Sequence, residues 1–103
     1  MWTQDMIDSA RRKVAAWQGG NVRLWHYTAS HSELHLQVTM PGRGGMLHLV
    51  CEGCSHIMTP TGWCNMNLEI IPVQDADRQI VVCDAVAGFR VVCAIVSERH
   101  NSK

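Results

Sequence analysis

The stretch Cys51-Glu52-Gly53-Cys54-Ser55-His56 is the most chemically pointed part of this chain. A tight turn between two strands would bring Cys51 and Cys54 to one side at a separation suited to a metal ion or a disulfide. His56 then falls on the same face, and Cys64 follows after a turn at Pro60-Thr61-Gly62, so that four soft ligands lie within fourteen positions. Cys51, Cys54, His56 and Cys64 therefore form a candidate structural zinc set of three thiolates and one imidazole. Structural zinc usually draws on two separated knuckles, whereas Cys64 is flanked by Trp63 and Asn65 with no second ligand beside it. Ordinary packing is the competing explanation, because Cys51 and Cys54 continue a face made of Leu47, Leu49 and Met58.

Two other uses of these thiols can be weighed on the same residues. A redox dithiol places its first cysteine at a helix N-terminus, where the dipole lowers the thiol pKa, and nothing after Cys51 has helical periodicity. A thiol enzyme needs cysteine, histidine and a carboxylate converging in space. Cys64, His56 or His48, and Asp84 supply the residue types, but no local signature selects them.

Six histidines are spread along the chain: His26, His31, His35, His48, His56 and His100. A four-residue hairpin loop at Ala29-Ser30-His31-Ser32 would set His26 opposite His35, as a pH-sensitive pair or as two imidazole ligands; a loop one residue shorter destroys the pairing. Trp25 and Tyr27 share one face of the same strand on a strict alternation, and Trp63 follows the Pro60 turn. All three read as core aromatics, with Trp25 and Tyr27 also suited to a subunit contact. Gly42-Arg43-Gly44-Gly45 lacks the Lys-Ser/Thr ending of a phosphate loop and reads as a flexible connection begun by Pro41. Asp75 and Asp77 sit in a polar loop with no apolar pocket around them, which gives acid/base chemistry little support.

These groups must be positioned by the periodic segments between them. From Thr3 to about Gln18 the apolar residues Met6, Ile7, Ala10, Val14 and Trp17 recur at helical spacing, with Thr3 or Asp5 as N-cap and Gly19-Gly20 as the stop. After the glycines the period becomes two. Val22 to Thr28 and Glu33 to Met40 form a hairpin, Met46 to Cys51 and Cys54 to Thr59 read as two short strands around Glu52-Gly53, and Cys64 to Ile71 alternates Met66, Leu68 and Ile70 with polar residues. After the loop of residues 72–78 comes a last hairpin, Gln79 to Ala85 and Phe89 to Glu98, in which Ile80-Val81-Val82-Cys83 and Val91-Val92-Cys93-Ala94-Ile95-Val96 are apolar on both faces. One helix covers only part of one face of such a sheet. Either the sheet curls onto itself or a second subunit packs against it, with Trp25, Tyr27, Val92, Ala94 and Val96 as the candidate contact.

The 103 residues suit one domain, 1–103, and 47% hydrophobic against 17% charged residues gives enough apolar material for a core. Nine basic and nine acidic residues cancel, so no global field draws nucleic acid or an anionic membrane. The basic run Arg11-Arg12-Lys13 falls within the helical pattern, as its solvated face. The first residues, Met1-Trp2-Thr3-Gln4-Asp5, lack the pattern of a secretory leader, and no apolar run approaches the roughly 18 residues of a membrane span. Five cysteines, an odd number with Cys83 and Cys93 in apolar runs, fit reduced thiols in the cytoplasm. The expected fold is α+β, an N-terminal helix packed on a largely antiparallel meander of six or seven strands. The expected function is a cytoplasmic binding or interaction protein without catalytic activity, homo-oligomeric through a sheet face, with zinc binding and thiol catalysis as the alternatives.

Overall fold

The computed structural model of the chain describes residues 3–73 and 79–101, the last three by their backbone alone. The polar loop with Asp75 and Asp77 lies outside the described residues.

Helix α1 (Gln4–Ala15) begins at Thr3, whose side-chain oxygen accepts the backbone N–H of Met6 at 3.2 Å. Its buried stripe is Ile7, Ala10 and Val14, continued by Trp17 beyond the last turn. Gly19, at φ +86°, takes the left-handed conformation that turns the chain out of the helix. Strands β1 (Asn21–Thr28) and β2 (Glu33–Met40) then form the expected hairpin around a four-residue turn. The segment after β2 is no flexible connection. Pro41-Gly42 make a tight turn, Gly42 at φ +78°, and β3 (Arg43–Glu52) begins at once with Arg43 opposite Met40.

The remaining strands are β4 (His56–Met58), β5 (Gly62–Trp63), β6 (Glu69–Pro72), β7 (Ile80–Asp84), β8 (Phe89–Cys93) and β9 (Ile95–Asn101). They do not form the single meander of six or seven strands expected from the sequence. Among the described residues nine antiparallel strands divide into a five-stranded sheet, β5-β1-β2-β3-β9, and a four-stranded sheet, β4-β8-β7-β6. The physical reason lies at one corner. β3 pairs with β9 as far as Glu52 opposite Ile95, and the ladder resumes in the other sheet with His56 of β4 opposite Val92 of β8. Backbone bonds from Ala94 N–H to Glu52 O and from Ser55 N–H to Val92 O, both 2.9 Å, carry the two-stranded ribbon through the bend. A ribbon bent in this way lays its two halves face to face, and the inner faces cover each other better than one helix could cover either.

The inner faces form one core. Leu34, Leu36, Val38, Leu47, Leu49 and Cys51 meet Ile70, Ile80, Val82, Phe89, Val91 and Cys93, with Ile7, Ala10, Val14 and Trp17 of the helix. The helix packs on β9 and β6, the edge strands of the two sheets. Ser9 Oγ donates to Glu98 Oε1 at 2.6 Å on one side, and Arg11 Nε donates to the carbonyl of Ile70 at 2.9 Å on the other. Two otherwise open edges are thereby blunted.

The segment 64–68 keeps the expected alternation without being a ladder strand. Met66, Leu68 and Ile70 are buried, while Asn65, Asn67 and Glu69 are exposed. Its backbone bonds instead to the end of the helix region: Gly19 N–H to Met66 O at 2.8 Å, and Leu68 N–H and O to the Gln18 amide at 3.1 and 2.8 Å.

Candidate functional site

The Cys51-x-x-Cys54 stretch is the corner itself rather than a hairpin turn. β3 and β4 do not pair with each other, because Gly53, at φ +67°, sends the chain from one sheet into the other. Cys51 and Cys93 are fully buried there. A hydrogen bond shared with Cys93, together with burial, holds the Cys51 thiol well above the usual range. The Cys54 thiol donates to the carbonyl of Cys51 at 3.3 Å, and burial, with Cys93 nearby, pushes it up to about 11. These are protonated packing groups, and sequence separation hid the part played by Cys93.

The other two candidate zinc ligands lie elsewhere. Cys64 follows β5, which is separated from β3 by β1 and β2. At about 4.8 Å per strand that is about 14 Å across the sheet, against the roughly 4 Å between sulfurs that share a tetrahedral zinc. His56 stands exposed on β4 opposite Val92. Among the described residues no three His, Cys, Asp or Glu side chains are arranged to hold a metal ion.

Cys64 does share a pocket with Asp84, as the thiol-enzyme alternative requires. The pocket, about 300 Å3, is lined by Trp63, Cys64, Asn65, Asp84, Val86 and Ala87, with no histidine. Asp84 is only 2% exposed. Its Oδ2 accepts the Trp63 indole N–H and the Asn67 backbone N–H, both at 2.8 Å, and its Oδ1 accepts the Ala87 N–H at 3.4 Å. Trp63 also packs on Phe89, ring centres 4.9 Å apart. Asp84 thus ties the segment 63–67 to the turn after β7, with both acceptor sites of Oδ2 and one of Oδ1 engaged by structural donors.

On the outer face of the five-stranded sheet His26 stands opposite His35, as a four-residue loop dictates. His48 of β3 completes a row the sequence did not reveal. Ring centres are 5.5 Å apart for His26 and His35 and 5.1 Å for His35 and His48, with His35 Nδ1 2.9 Å from His48 Nε2. Glu33 Oε1 lies 3.2 Å from His35 Nε2. The His35–His48 contact needs one N–H and one lone pair, while His26 meets His35 edge-on and its Nε2 is hydrogen-bonded to Thr28 Oγ1 at 2.6 Å.

Trp25 and Tyr27 are 54% and 45% exposed rather than core residues. The register of β1 shifts at a bulge between Leu24 and His26, which leaves Trp25 without a cross-strand partner and sets Tyr27 opposite Leu34, so strict alternation fails. Of the other expected contact residues, Val96 is fully buried inside the sandwich and is unavailable to any partner. Ala94 sits against Gly53 at the corner, and only Val92 lies on an outer face. The five residues do not make one surface.

Val92 belongs to a different patch, on the outer face of the four-stranded sheet. Ladder register places Ile71, Val81, Val92 and His56 in one row across β6, β7, β8 and β4, and Glu69, Cys83, Arg90 and Met58 in the next. Ile71 is 42% and Met58 54% exposed, and Val81, Cys83 and Val92 are half-buried. Cys83 lies between Glu69 and Arg90; burial, with the Glu69 carboxylate, raises its thiol, while Arg90 works the other way. Gln79 Nε2 donating to Ser55 Oγ at 3.2 Å adds a polar link across the same sheet. The signal in the sequence is the apolar parity already noted at Ile80 to Cys83 and Val91 to Val96, extended by the Ile70-Ile71 pair.

No protein-family model, curated protein or solved structure matches this chain.

Proposed function

We propose that the chain is a small cytoplasmic binding protein without catalytic activity, and that it associates, homo-oligomerically, through the outer face of its four-stranded sheet. The observation that carries this is the row Ile71, Val81 and Val92, three β-branched apolar side chains side by side on a sheet face that no element of the described chain covers. Apolar side chains gathered on one face, bounded by Glu69 and Arg90, are the composition of a contact core and its rim. Further support comes from the groups a catalyst would need. Asp84 is committed to three structural donors, and the hydrogen bond shared with Cys93, with burial, for Cys51, and burial with Cys93 nearby for Cys54, raise both thiols.

The test is Val81→Asp, a charge placed in the middle of the row on a strand whose other face carries the core. Sedimentation velocity over a concentration series is expected to show association of the parent chain and its loss in the variant, with the melting temperature nearly unchanged. Equal sedimentation of parent and variant would remove the face from consideration.

A further inference from the structure

The two rows on that face have unlike symmetry. In the apolar row the strand order reads Ile71, Val81, Val92; in the charged row it reads Glu69, Cys83, Arg90. β7 is the centre of both. A two-fold axis parallel to β7 and lying above it exchanges β6 with β8 and leaves position along the strands unchanged. Each Glu69 then faces the other copy's Arg90, each Ile71 faces a Val92, and Val81 and Cys83 face their own equivalents on the axis. An axis perpendicular to the strands and midway between the rows sets the charged row of one copy on the apolar row of the other and leaves both charges without counterparts, and the same axis along the charged row sets Glu69 on Glu69 and Arg90 on Arg90. Charge therefore selects between the two ways of stacking the face on itself.

We infer that the occupant of this face is a second copy of the chain, packed sheet on sheet about a two-fold axis along β7, with Glu69 and Arg90 paired reciprocally across the interface and Cys83 facing Cys83. This rests on the outer face of the four-stranded sheet being the binding surface. About an axis along β7 only β6, β7 and β8 overlap their counterparts, with β4 lying outside, and three strands about 4.8 Å apart and of four to five residues outline about 230 Å2. That footprint is smaller than a stable specific interface, so the dimer is a weak, exchanging one, with a dissociation constant of about 10 μM to 1 mM.

Charge reversal and cross-linking on the full chain test the pairing. Glu69→Arg and Arg90→Glu are each expected to weaken dimerisation about tenfold, since each sets two like-charged contacts in the symmetric interface. The double variant restores the contacts with their signs exchanged and is expected to return to the parent constant. Packed sheets stand about 10 Å apart, too far for a disulfide between facing cysteines and within reach of a short bismaleimide. In a Cys64→Ser background that reagent is expected to link two chains through Cys83, and Cys83→Ser to abolish the link. A dimer lost in Val81→Asp but not restored by the double reversal, or not linked at Cys83, overturns the two-fold pairing and leaves the face as the binding surface. A chain monomeric at 1 mM, the upper end of that range, overturns both.

Discussion

Gly53 and Ala94 lie back to back, so that a Cβ built on Gly53 would stand 3.0 Å from the Cβ of Ala94. They are the points at which two paired strands leave one sheet for the other, and their close approach lets the ribbon bend without losing its ladder on either side. Gly53 also holds a φ of +67°, where a side chain is strained by its own carbonyl. Gly53→Ala is expected to cost about 1–3 kcal/mol in urea unfolding. Ala94→Gly added to it should recover the part due to contact and none of the part due to backbone conformation. A Gly53→Ala chain as stable as the parent would contradict a bend at this point.

The same corner shows what a linear reading of the chain resolves. Local rules placed the helix with Thr3 or Asp5 as its cap, the β1–β2 hairpin with His26 opposite His35 provided the loop held four residues, and the alternating set Met66, Leu68 and Ile70, because each depends on residues a few positions apart. Cys51 and Cys93 are 42 positions apart in the sequence, and their contact depends on where the ribbon folds over. Glycine at position 53 is compatible with a hairpin turn or a change of sheet, and its neighbours do not distinguish them. The bulge at Trp25 had no glycine to mark it, and one extra residue was enough to reverse the expected face of every later residue in β1. Outer-face chemistry was legible only as an excess of apolar residues; which of them align across β6, β7 and β8 is a matter of register.

Asp84, itself only 2% exposed, joins three otherwise separate pieces of backbone and side chain, so its removal leaves their donors without this acceptor. Asp84→Ala is expected to destabilise the fold by about 2–4 kcal/mol, since the Trp63 indole and the Asn67 amide both lose their partner. Asp84→Asn keeps one carbonyl oxygen and should lose about half as much. Chemical unfolding followed by tryptophan fluorescence gives both values. A neutral outcome for Asp84→Ala would mean that the pocket admits water freely enough to replace the carboxylate.

Separation of Cys64 from the corner thiols makes a chelation experiment informative. With β1 and β2 between them, these sulfurs do not close on one ion. Protein purified without chelator is expected to carry less than one zinc in ten chains, and its melting curve to be the same with and without chelator, because structural zinc supplies folding free energy directly. Stoichiometric zinc with a lowered melt on chelation would restore the set of Cys51, Cys54, His56 and Cys64 by a rearrangement of the corner.

The cysteines should separate by reactivity and by their effect on alkaline stability. Cys64 is exposed beside the pocket, and a small maleimide at neutral pH is expected to take it first, followed by half-buried Cys83. Cys54, with its thiol near 11, has about one chain in ten thousand ionised at pH 7. It should label slowly, and Cys51 and Cys93 only on unfolding. A thiol whose pKa is raised by folding contributes stability that is fully present below its unfolded value, near 9.0, and is lost as the pH climbs toward the folded value. The melting temperature should therefore hold up to about pH 8 and fall steadily from pH 9 to 11. Cys54→Ala should flatten part of that fall, while Cys64→Ala leaves it unchanged. Mass spectrometry of the labelled sites orders the thiols, and melts across the pH series give the slope; an unaltered slope in Cys54→Ala would mean that its burial adds nothing to the alkaline limb.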